Sequence, residues 1–238
     1  GALCVAGILW IVAALVFASL FEEPGATEGG RNALAMAIAQ FGLLRDDPQL
    51  LRFTVIRCLL LAIPLAPPFL VALEGSAAGA RDVELGPLVF ASALATILSS
   101  YVWGRLADRS SRRVLVAAAG LGAVGLAVAA AIGAGLGGGL GLSVSSLLVV
   151  PVLVFVLTVA EQGMRLGRST HVVDMADVQH RAAYTALTNT ISGVVMLGAG
   201  VFGFIAHQFG GVVVLAMFAA MCVVGAWLAR GLEEVQAG

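Results

Sequence analysis

The chain predicts an all-α fold, a polytopic helical bundle in a membrane. Of its 238 residues 60% are hydrophobic and 11% charged, and its mean hydropathy is +1.03, more apolar surface than one soluble core can hide. The apolar residues form continuous runs of about 20 residues, the length that crosses a bilayer as a helix; barrel strands would alternate instead. Arginines gather in alternate connections between these runs, as topology by the positive-inside rule requires.

Seven windows meet the length condition: 2–21, 53–73, 86–106, 114–133, 145–166, 184–208 and 210–230. The first has neither a basic leader nor a small-residue cleavage site, so it reads as a span rather than a secretory signal. It opens at Gly1, inside an apolar run and without an initiating methionine, which reads as a truncated chain. In the long connection 22–52, Leu34, Ile38, Phe41 and Leu44 fall on one helical face, which suits a helix lying on the membrane surface. Asp47-Pro48 then reads as a cap and first-turn pair opening the second span.

Within the second span Arg57 stands about one turn from the interface, close enough to snorkel. Pro64, Pro67 and Pro68 interrupt its outer half, removing backbone donors and kinking the helix. Pro64 and Pro67 are therefore a candidate gate, or a static bend. The fifth span carries Thr158, Glu161, Arg165, Arg168 and Val172 three or four residues apart, one polar face on which Glu161 and Arg165 can pair. On the sixth, Thr185, Thr188, Asn189 and Ser192 form a second stripe, followed by Gly193, Gly198, Gly200 and Gly203. These groups serve ligand binding or helix packing. Asn189, with both donor and acceptor, is the best candidate for ligand contact, with Thr188 beside it.

Charge sets an expected sidedness. The connections holding Arg31, Arg45 and Arg52, then Arg105 to Arg113, then Arg165 to Arg181, and the tail at Arg230 all fall on one side; the opposite connections hold only Arg81. The first set is expected in the cytoplasm, with the start of the chain outside and its end inside.

Composition also excludes functions. All 13 basic residues are arginine, so there is no lysine for a Schiff base, a P-loop or pyridoxal phosphate. The net charge of -1 gives no basic face for nucleic acid. Cys4, Cys58 and Cys222 sit singly in apolar segments and suggest neither a disulfide frame nor a metal site. Gly133, Gly135 and Gly138 match GxGxxG in an outer turn with no preceding strand, which is no dinucleotide site. His171, Asp174, Asp177 and His180 recur at three-residue steps but straddle a helix end. No catalytic cluster is visible, so neither an enzyme nor a cofactor is expected.

The connection after the third span, Gly104-Arg105-Leu106-Ala107-Asp108-Arg109-Ser110-Ser111-Arg112-Arg113, is short and arginine-dense. As plain chemistry it holds a turn at an anionic leaflet. Asp108 is placed to cap a helix and pair with a neighbouring arginine, and topogenic charge alone is the simpler reading. Its order resembles the G-x-L-A-D-R-x-G-R-R loop of the major facilitator superfamily of transporters, with Ser111 where glycine is usual, which makes a left-handed turn there costlier. Arg165-Leu166-Gly167-Arg168 through Asp174 to Arg181 is similar to that family's fourth-to-fifth helix connection within a bundle, and Leu44 to Arg52 to the entry of its seventh helix.

The resemblance implies a C-terminal six-helix transporter bundle (53–238) preceded by a linker (22–52) and the last helix of an N-terminal bundle (1–21) that is otherwise missing. It implies alternating-access transport of a small solute across an inner membrane, with Gly104, Asp108, Arg109, Arg112 and Arg113 as a conformational latch. It also implies a fifth span reaching about Asp174, so that Glu161, Arg165 and Arg168, with Thr188 and Asn189, line the solute or proton pathway. Glu161 is the expected proton carrier if protons drive transport. The alternative from another class is a seven-helix receptor or membrane scaffold with its start outside.

Overall fold

In a bilayer a segment must satisfy its own backbone hydrogen bonds, so long apolar runs fold as helices. The computed structural model describes residues 2–18, 42–78, 85–137, 148–176 and 181–234, and among them there is no strand. The chain divides into two compact units, Gly1–Ala39 and Gln40–Gly238.

In the first unit α1 covers Ala2–Ala18. At 17 residues it is shorter than the expected window, whose last residues lie outside the described ones, as do Leu34, Ile38 and Phe41 of the expected surface helix. Six of the seven expected spans appear as described helices long and apolar enough to cross a membrane, all in the second unit: Pro48–Leu73, Gly86–Ala107, Ser111–Gly133, Val149–Met175, Arg181–Phe209 and Gly211–Ala229. This is a helical membrane bundle.

A short α2 (Leu43–Asp46) leads into α3 (Pro48–Leu59), where Asp47 accepts from the N–H groups of Gln49 and Leu50 with Pro48 in the first turn. The cap expected from Asp47-Pro48 therefore forms, and it starts the helix earlier than residue 53. The span then breaks into α4 (Ala62–Leu65) and α5 (Pro67–Ala78). Pro64 cannot bond the Leu60 carbonyl, which instead accepts from Ile63 N at 3.1 Å. Pro67 likewise leaves the Ile63 carbonyl to Ala66 N at 3.2 Å. The ladder tightens at both prolines and the axis bends.

The remaining elements are α6 (Leu85–Ala107), α7 (Ser111–Gly133), α8 (Val149–Met175), α9 (Arg181–Leu197), α10 (Gly200–Phe209) and α11 (Gly211–Ala229). Helix α7 is the spine, packed between α8 and α11, with α6 against α8 and α3 against α11 and α9. Phe53, Ile56, Leu60, Leu115, Leu157 and Phe218 are fully or almost fully buried in the shared core. Phe218 is gripped edge-on by Phe69 at 5.7 Å and Phe202 at 4.7 Å.

The Arg181–Phe209 span is the outlier, with only 6% of its apolar window buried. Val194, Leu197, Val201 and Phe204 point outward, and β-carbons at Gly193, Gly200 and Gly203 would meet nothing within 4 Å. The expectation that these glycines bring helices together is not met within the described residues. Gly210, by contrast, has φ 88°, a left-handed turn that lets α11 follow α10 directly.

Candidate functional site

One end of the second unit gathers its charge. Arg52 at the start of α3 donates to the Gly231 carbonyl just past α11. Arg112 in the first turn of α7 pairs with Glu234 at 2.6 Å and donates to the Leu232 carbonyl at 3.2 Å. The α6–α7 turn lies at this end as well. Ser110, in extended conformation, caps α7 by accepting from Arg113 N at 3.1 Å.

This corrects the expectation for Asp108. Ser110 takes the cap, and Asp108, exposed in the turn with Arg109, has no ion pair within 4.0 Å among the described residues. Ser111 is the first helical residue of α7, so the strained turn expected there is not needed. Of the five latch residues, Arg112 alone holds another element, and its partner Glu234 is one that sequence spacing does not single out. Arg113 is exposed at the mouth of a small cleft beside Arg230. Gly104 is not in the turn at all but one helical turn back, on a cavity wall.

That cavity, of about 770 Å³, opens between α3, α6, α8 and α9 near the arginine-rich end. Helix α8 supplies Gln162, Arg165, Arg168, Ser169 and Val172; α6 supplies Ser100, Trp103 and Gly104; α9 supplies Thr185 and Asn189; and α3 supplies Arg57. No residue of α7 or α11 reaches it. The continuation of the fifth span to Met175 sets Arg165, Arg168 and Val172 on the wall as one stripe. Glu161, half-buried one turn earlier, is not part of the lining. The expected Glu161–Arg165 pair does not form within 4.0 Å.

Arg57 is the residue that sequence reasoning undervalued. Nine residues into a span that starts at Pro48, it stands about 14 Å along the axis, too deep for a simple snorkel. It donates through one terminal nitrogen to Thr188 Oγ1 at 3.0 Å and through the other to Asn189 Oδ1. Thr188, fully buried, is itself oriented by donating to the Tyr184 carbonyl at 2.8 Å. The two polar residues expected to meet a ligand therefore also carry an arginine whose Nε is buried without a partner. Each acceptor is neutral, and no described carboxylate lies within 4.0 Å of Arg57. The only advance signal was an arginine inside a run from Phe53 to Leu73 that is otherwise free of charge.

Trp103 forms the cavity floor, 6% exposed, with its indole N–H on the Val159 carbonyl at 2.8 Å. His171 lies behind the α8 wall, buried, its Nδ1 3.0 Å from Ser111 Oγ and its ring 5.3 Å from that of Phe53. It is thus a core residue joining α8 to α7. No three described His, Cys, Asp or Glu residues group closely enough for a metal ion, while Asp177 and His180 lie outside the described residues. Pro64 and Pro67 line no part of the cavity; their bend lies beyond Arg57 on the same span.

Searches of family models, curated proteins and solved structures find no match to the chain.

Proposed function

We propose that the chain carries the solute-handling bundle of a secondary transporter that works by alternating access, in the manner of the major facilitator superfamily whose loop pattern it resembles. The observation that carries this reading is the cavity. Its volume suits a small solute, its lining mixes charged, amide, hydroxyl and aromatic groups, and it opens at one end of a membrane bundle. Polar side chains at that depth are costly unless they face such a space.

By the same resemblance a second helical bundle rocks against this one, and the outward apolar side chains of the Arg181–Phe209 span suit such a partner. The positive-inside rule assigns the arginine-rich end to the cytoplasm of an inner membrane, leaving α1 to begin outside. Asp108, Arg109, Arg112 and Arg113 serve as the latch at that end, and the Pro64–Pro67 bend as the moving element on the far side of Arg57. Glu161, next to the arginine stripe, is the proton carrier if protons couple.

The test is a solute-uptake screen on the full-length protein in sealed proteoliposomes, with and without an imposed pH gradient. Flux above protein-free vesicles supports the reading. A folded, inserted protein that moves none of a broad solute panel overturns it and favours a receptor or scaffold. Flux through Glu161→Gln with unchanged pH dependence removes Glu161 as the carrier.

A further inference from the structure

We infer that the cavity is an oxyanion site: it takes a small carboxylate- or phosphate-bearing solute, anchored on Arg57 and gathered by Arg165 and Arg168. This rests on the cavity being the solute site, and it names the substrate class.

Three guanidinium groups line one cavity, and among the described residues no aspartate or glutamate does. None of the three has a described carboxylate within 4.0 Å. Arg57 and Arg168 stand close enough to repel each other, and Arg168 is repelled by Arg165 as well, with Glu161 an opposing charge. Like charges gathered at membrane depth without a counter-ion are costly; an anion of the right size removes that cost on binding.

The geometry is also preorganised. A guanidinium has five donors, and Thr188 and Asn189 take one from each terminal nitrogen of Arg57, which fixes the fork while leaving hydrogens on both nitrogens free. Such a fork matches a carboxylate or phosphate in bidentate fashion. Around it, Gln162, Ser169 and Thr185 offer neutral partners for the rest of a polar solute.

The test reads binding rather than flux, so that it stands apart from the transport assay. Purified full-length protein in phosphatidylcholine nanodiscs is titrated calorimetrically with phosphate, succinate and citrate, and with a neutral sugar and a quaternary amine as controls. At least one anion binds, the controls do not, and Arg57→Gln weakens that anion by about tenfold or more, the worth of a charged hydrogen bond. Arg165→Gln, at an exposed position that folding does not need, weakens it severalfold. A parallel arm adds phosphatidylglycerol to the nanodiscs: if it alone occupies the site, and Arg57→Gln abolishes this, the oxyanion is a lipid headgroup. Absence of anion binding in both arms, or equal binding by Arg165→Gln and wild type, overturns the inference. Anion binding without flux keeps the site and removes the transport reading; flux of neutral or cationic solutes alone does the reverse.

Discussion

Trp103 lies directly on Gly163. A β-carbon at that glycine would stand 2.5 Å from Cε2 of the indole and 2.7 Å from Cζ2, so α6 and α8 meet at a distance that only glycine permits. The contact joins core packing to the site, because the same ring floors the cavity.

Gly163→Ala is therefore expected to destabilise the protein by about 1–3 kcal/mol, since a buried indole held by the Val159 carbonyl cannot yield freely. Thermal unfolding in detergent reads the loss. Combining it with Trp103→Phe, a smaller ring, should cost less than the sum of the two changes; strict additivity would mean that the two residues do not press on each other.

The α6–α7 turn separates folding from function. Ser110→Ala removes the cap of α7 and should lower stability by about 1 kcal/mol. Asp108→Asn changes a side chain without an ion pair among the described residues and should leave unfolding unchanged while reducing transport, if the turn latches the bundle. Comparable losses of insertion and transport in Asp108→Asn would reduce the residue to a folding role.

Arg112 and Glu234 are 32% and 22% exposed, so water screens their pairing. A double-mutant cycle between Arg112→Ala and Glu234→Gln should give a coupling below about 1 kcal/mol that shrinks with added salt. Arg112→Ala alone should cost more than Glu234→Gln, because it also gives up the Leu232 carbonyl. The opposite ranking in unfolding experiments would mean that the carbonyl contact contributes nothing.

Behind the cavity wall, Ser111→Ala deprives a buried histidine of its partner. The expected loss is about 1–3 kcal/mol, the cost of leaving a polar group unsatisfied. Ser111→Thr, which keeps the hydroxyl, should recover much of it. If both variants unfold like wild type, the His171 contact is energetically idle.

What could be read in advance follows from the range of the interactions. The last six spans were legible from apolar run length, and the Asp47 cap and the arginine stripe on α8 from spacing, because each depends on residues within a few positions. Ser110 and Asp108 are both able caps two residues apart, and only where α6 ends decides between them. Arg57 finds its partners 131 and 132 residues away, and Arg112 meets the segment after the last helix; neither leaves a periodic trace. The glycines of the Arg181–Phe209 span misled for the converse reason, since small residues signal close approach without saying to what.

The bond from Arg52 to the Gly231 carbonyl ties the entry of α3 to the exit of α11. An epitope placed ahead of Pro48 and a fluorophore fused beyond Glu234 must therefore report the same compartment, whichever that is. In sealed vesicles, membrane-impermeant antibody and quencher should reach both or neither.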